Sequence, residues 1–128
     1  MKKEFIISAV GLNVPGIVAM VSKEIWDCGC NFEDSRMTLL SRHFALMILV
    51  SAASDQVAQD LEAACQRLEG DHDLKVTLFP VDVPGDKRYP TEPNYEIRVK
   101  GKDRMGIVYR TSQLLASLNI NIVDMETR

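Results

Sequence analysis

Phe5–Val10 and Phe44–Val50 are almost wholly apolar, whereas Asn31–Leu40 and Lys75–Phe79 mix apolar with polar positions. A short apolar run bounded by turn residues predicts a strand covered on both faces. A mixed or alternating run predicts a strand with one wet side. Between these segments the period lengthens. Ile17, Val18, Val21 and Ile25 recur at helical spacing with Cys28-Gly29 as a stop, and Val57, Leu61, Cys65 and Leu68 line one face of a second helix. Ser54 is suited to cap that helix and Gly70 to end it. Turn chemistry fills the joints: Gly11-Leu12-Asn13-Val14-Pro15-Gly16 leads from the first strand into the first helix, and Ser41-Arg42-His43 makes a hairpin.

The order is therefore βαββαβ, with Pro80 closing the fourth strand. The two apolar strands belong in the middle of a sheet and the half-wet ones at its edges. Right-handed crossovers then leave an antiparallel sheet of order 4-1-3-2 with both helices on one face, the ferredoxin-like α+β fold. Residues 1–81 form this first domain. Residues 82–94, with Pro84-Gly85, Pro90, Pro93 and several charges, read as an extended linker, and residues 95–128 as a second domain.

The second domain repeats the first. A shift of ninety residues lays Phe5–Thr38 over Tyr95–Arg128 without a gap, placing Ile7 on Ile97, Gly11 on Gly101, Gly16 on Gly106, Ile17 on Ile107, Asn31 on Asn121 and Asp34 on Asp124. Ile107, Leu114, Leu115 and Leu118 are the expected inner face of its helix. The second copy reaches only β-α-β, without the strand that would lie between its first two. The expectation is that the chain is a fragment or that another chain completes this half; the repeat leaves the choice open.

Composition narrows the function. Of 128 residues, 46% are apolar and 26% charged, with a net charge of −3, so no polyanion partner is favoured across the whole surface. Arg98, Lys100 and Lys102 share one strand face, but no aromatic side chains accompany them for stacking on RNA. The apolar run after Met1-Lys2-Lys3-Glu4 is too short for a secretory core or a membrane span, and three cysteines suggest reduced thiols. A cytoplasmic, soluble protein is expected. Cys28-Gly29-Cys30 lacks further ligands nearby, since Cys65 belongs to a helix face and His43 and His72 to separate loops, so neither metal nor cofactor is expected. No Ser-His-Asp, paired-carboxylate or Cys-His set is placed for catalysis, and the chain reads as a non-enzyme.

The glycine turn carries the remaining chemistry. A turn between a central strand and a helix start presents free backbone N–H groups and a positive dipole end, suited to a carboxylate. Asn13 can both donate and accept, and so can read a carboxylate or an ammonium. A tight strand-to-helix connection asks for the same glycine and proline, and that plainer reading stands beside the first. The stretch Gly11-x-Asn13-x-Pro15-Gly16-Ile17-Val18, followed by Gly29-x-Asn31, resembles the ACT domain. The resemblance implies an amino-acid effector bound between neighbouring copies. In the serine-binding ACT domain of phosphoglycerate dehydrogenase the ligand contacts match Asn13 and Asn31 here, and Asp103 and Asn121 in the repeat; a histidine of that family is replaced by Gly11 and Gly101.

The tandem arrangement and Lys102-Asp103-Arg104-x-Gly106-Ile107-Val108 resemble the family of glycine cleavage system transcriptional repressors. The implied ligand-binding residues are Gly11, Leu12, Asn13, Val14, Pro15, Gly16, Ile17 and Asn31, with Gly101, Asp103, Arg104, Met105, Gly106 and Asn121 in the second copy. There Asp103 would take an ammonium and Arg104 a carboxylate, unless they are simply a helix cap and a solvated side chain. The implied function is an amino-acid-sensing regulator of glycine metabolism. It would be a homodimer that responds to glycine or serine and acts on a transcription activator protein without touching DNA or membrane. The alternatives are the regulatory ACT region of an enzyme such as formyltetrahydrofolate deformylase, or an interaction module without a ligand.

Overall fold

The computed structural model describes residues 2–81, 92–102 and 104–127, which fall into two compact units, Met1–Pro84 and Gly85–Arg128. The first unit runs β1 (Lys3–Leu12), α1 (Ile17–Trp26), β2 (Asn31–Leu40), β3 (His43–Ala52), α2 (Asp55–Asp71), β4 (Leu74–Pro80). The strands form one antiparallel sheet of order β2-β3-β1-β4, which is the expected 4-1-3-2 arrangement read from its other edge. Most of the linker expected at 82–94 lies outside the described residues.

Alternation along the strands sends one set of side chains to the helices. Ile7 and Ala9 of β1, Phe44, Leu46, Ile48 and Val50 of β3, and Leu74 and Val76 of β4 are buried in one cluster with Val21 and Ile25 of α1 and Leu61, Cys65 and Leu68 of α2. The hydroxyl of Ser54 accepts the Val57 N–H at 3.3 Å, so the expected cap of α2 is formed. The expected stop at Gly70 is not where α2 ends. The helix passes through Gly70 to Asp71 and closes because His72 turns to extended backbone, φ −133° and ψ 158°.

The expectation that β1 and β3 are covered on both faces holds for one face only. On the side away from the helices, Val10, Met47 and Phe79 are 42%, 51% and 56% exposed. An apolar side chain records what it favours, not whether a second layer lies above it. One polar contact is built at the edge of the same face. Buried Ser51 donates its hydroxyl to Glu33 at 2.6 Å, beside a break in register between Phe32 and Asp34, and Lys2 lies 3.3 Å from the same carboxylate. The Ser51 hydrogen bond, with the Lys2 charge behind it, holds the Glu33 carboxyl below the usual range.

In the second unit one helix forms, α3 (Arg104–Ser117). It closes with Asn119 in the left-handed region at φ 57°, its N–H on the Ala116 carbonyl and the Ile120 N–H on that of Leu115. Of the expected inner face, Ile107 and Leu115 are half-buried while Leu114 and Leu118 are exposed. The strands expected on either side of α3 form no ladder: residues 93–101 and 120–127 have neither strand nor helix pairing. Strand structure is conferred by a neighbour. In the first unit β2 pairs only with β3 and β1 lies between β3 and β4, whereas no third segment lies beside these two among the described residues.

Candidate effector-binding site

The register of the sheet fixes what surrounds the glycine turn. Leu12, the last residue of β1, lies opposite His43, the first of β3. The hairpin tip Ser41-Arg42 therefore falls at the same end of the sheet as the turn, and the Asn13 N–H donates to the Arg42 carbonyl at 2.8 Å. A shallow cavity of about 410 Å3 results, lined by Leu12, Asn13, Val14, Leu39, Ser41 and Arg42. Of the residues expected to bind a ligand, Leu12, Asn13 and Val14 line this groove. Pro15, Gly16 and Ile17 do not.

Gly11 stands apart from the groove. It is buried within β1 on the helix face, opposite Phe44 and Leu74. A Cβ there would run into the Leu74 side chain and lie 3.2 Å from the Asp73 carbonyl oxygen, so glycine lets β4 approach closely.

Gly16 has a different need. At φ 88° it caps α1 in the left-handed region, and a Cβ would meet nothing within 4 Å. Gly16→Ala should therefore cost about 1–2 kcal/mol through backbone strain alone. Urea unfolding measures this, and an unchanged midpoint would show that the turn relaxes without strain. No side chain caps α1 and no acidic residue lies in its first turn, while the Ile17 and Met20 N–H groups reach the Val14 and Gly16 carbonyls at 3.2 and 2.9 Å. The positive end of this helix is left unneutralised beside the turn.

Asn31 is placed elsewhere. It lies opposite Ser51, which is eight residue steps along β3 from His43, so Asn31 sits about 27 Å along the sheet from the turn. One unit does not bring Asn13 and Asn31 together. In the second unit Gly101 packs against the Ile107 side chain, Met105 and Asn121 are exposed, Gly106 lies in the first turn of α3, and Arg104 opens that helix. Asp103 lies outside the described residues.

The cysteines form no reactive centre. Cys28 lies within 3.4 Å of the Glu24 and Asp60 carbonyls, and Cys30 within 3.3 Å of the Ile25 carbonyl. Burial pushes all three thiols up, Cys65 to about 11, so they stay protonated near neutrality. Among the described residues no three His, Cys, Asp or Glu side chains are grouped to hold a metal, and no helix is long and apolar enough to cross a membrane. A smaller cavity of about 170 Å3 between α1 and α2 is lined by Glu24, Asp27, Cys28, Asp60, Ala63 and Arg67. Arg67 already meets Glu24 there at 3.4 Å.

Sequence reasoning named the turn but missed Leu39, Ser41 and Arg42. The 4-1-3-2 order contains the signal, since it brings the β2–β3 hairpin to the end of β1.

A βαββαβ chain folded into an antiparallel sheet of order β2-β3-β1-β4 with two helices defines a ferredoxin-like domain. The ACT domain model matches residues 3–78, and the chain belongs to the ACT family. It is 25% identical over 123 residues to the glycine cleavage system transcriptional repressor of Escherichia coli (strain K12), covering 96% of this chain and 63% of that protein; the Shigella flexneri repressor matches equally. The chain thus spans less than two thirds of the length of these relatives. Among solved structures, one described as a glycine cleavage system transcriptional repressor aligns over 100% of this chain and 73% of its own, with TM-score 0.71 and 22% identity; it shows the shared fold. A Galdieria sulphuraria protein of unknown function aligns over 100% and 71%, with TM-score 0.65 and 25% identity.

Proposed function

We propose that this chain is a non-enzymatic cytoplasmic regulator that senses a small amino acid, glycine or serine first, and passes the binding event to a partner protein that activates transcription. The observation that carries this reading is the groove at the end of the central strand, where Asn13 stands with an amide able to read either end of a zwitterion. The chain's membership of the ACT family and its similarity to repressors of the glycine cleavage system support it. Residues 95–128 are read as part of a second ACT module, in which Gly101, Asp103, Arg104, Met105 and Gly106 repeat the first turn and Asn121 repeats Asn31.

The separation of Asn13 from Asn31 gives the proposal its geometry. A ligand of amino-acid size that touches both needs two modules lying side by side in opposite senses. In a homodimer with two-fold symmetry, Asn13 of one copy then faces Asn31 of the other, and the pairing occurs twice. Ligand bound there stabilises that arrangement over others and so couples effector to partner.

A thermal-shift screen of the twenty amino acids tests the reading. Glycine, serine or a close analogue should raise the melting temperature, because a ligand of the native state stabilises by mass action. No rise with any of them, in a stable dimer, would favour the ligand-free interaction module instead. The half-exposed Val10, Met47 and Phe79 would then be its contact surface.

A further inference from the structure

We infer that Arg42 anchors the carboxylate of the ligand in the first unit's groove; this rests on the sensing role proposed above and names the group that reads the ligand's acid end. Three features converge on it. The first is placement. Arg42 lines the cavity with Asn13, its carbonyl is held by the Asn13 N–H at 2.8 Å, and Ser41 before it is locked at φ 56°, a left-handed conformation that few non-glycine residues adopt. The hydrogen bond ties the backbone of the hairpin tip to the turn.

The second feature is charge. Lys2, Lys3, Lys23, Arg67 and Lys75 of the first unit each meet a carboxylate. Among the described residues the Arg42 guanidinium meets none. Arg36 is likewise unpaired, but it lies opposite Met47 on the open sheet face and outside the cavity. No acidic residue lines the groove, so nothing there neutralises Arg42 or repels an anion. In a chain of net charge −3 this is a local positive site, reinforced by the unneutralised start of α1 close by.

The third feature is chemical fit. A guanidinium offers paired N–H groups in a fixed fork that matches the two oxygens of a carboxylate. Leu12, Val14 and Leu39, each about half exposed, supply the apolar part of the lining, against which the ligand's carbon atoms can rest. The Asn13 amide is then free to accept from the ammonium. The groove thus distinguishes an amino acid from its amide, which keeps the ammonium and lacks the negative charge.

Calorimetry with glycine, L-serine, glycinamide and L-serinamide on the whole chain tests this. Arg42→Gln should weaken binding of the preferred amino acid at least about tenfold and erase the preference for acid over amide. Arg42→Lys should keep part of that preference. The unliganded melting temperature should not move, since the Arg42 side chain makes no hydrogen bond or ion pair among the described residues. If Arg42→Gln retains the full acid-over-amide preference, Arg42 is not the anchor although the sensing role stands. If the unaltered chain binds neither glycine, serine nor any other amino acid, the sensing role falls and the anchor with it.

Discussion

Phe44→Ala should lower the stability of the first unit by about 3–5 kcal/mol, the range for removing a fully buried aromatic ring. Phe44 is 1% exposed and lies in β3, with Leu39 of β2 on one side and Gly11 of β1 on the other. Gly11 has no side chain and Leu39 is half exposed at the sheet edge, so neither can move in to fill the space. Whole domains are stable by only about 5–15 kcal/mol, so the substitution consumes a large share of the total. Met47→Ala makes a fitting control on the same strand. Its side chain is 51% exposed on the opposite face, and its loss should cost about 0.5 kcal/mol. Guanidinium unfolding followed by far-UV circular dichroism reads both. A cost below 1 kcal/mol for Phe44→Ala would contradict the placement of the core on the helix face.

Asn13→Ala and Asn31→Ala should each weaken amino-acid binding about tenfold or more, because each removes a hydrogen bond to a charged end of the ligand. Neither should unfold the chain, since both residues are exposed. The informative measurement is on the two variants co-expressed. If the ligand bridges copies, half of a random mixture of dimers pairs one variant with the other, and each such dimer keeps one intact site. About a quarter of the sites should then regain full affinity. No recovery would place the contacts within one chain and overturn the two-copy geometry. Full affinity in both single variants would remove the two asparagines from the site altogether.

Much of the first unit was legible because its signals were local. The period along Ile17–Ile25 and Val57–Leu68 marks two helices, and β2 spans the expected Asn31–Leu40. β3 extends past the expected Phe44–Val50 to His43 and Ala52, because hydrogen-bonded partners on β1 and β2, not apolar character, decide where a strand stops. The break in register at Phe32/Asp34 has no mark in the side-chain pattern; it arises only where two strands meet. In the second unit Tyr95–Lys100 has strand-forming residues but pairs with no strand among the described residues, so its propensity has nothing to act on. The candidate site divides in the same way. The glycine turn could be found from its residues, whereas Arg42, twenty-nine positions from Asn13, enters only once the sheet order is followed to its end.

The order of the sheet also bears on how the protein is made. β1, which begins at Lys3, is synthesised before both of its neighbours, β3 and β4, and β4 ends at Pro80. At the ordinary ~5–20 residues per second, both edges of this strand stay open for roughly 2–8 s until β3 is made, and the second edge for roughly 3–14 s until β4 is made. A run such as Phe5–Val10 with unpaired backbone on either side is prone to join other nascent chains. Yield in a heterologous host should therefore depend on chaperones that hold β1 until β3 and β4 are made, more than on the residues that line the groove at its end.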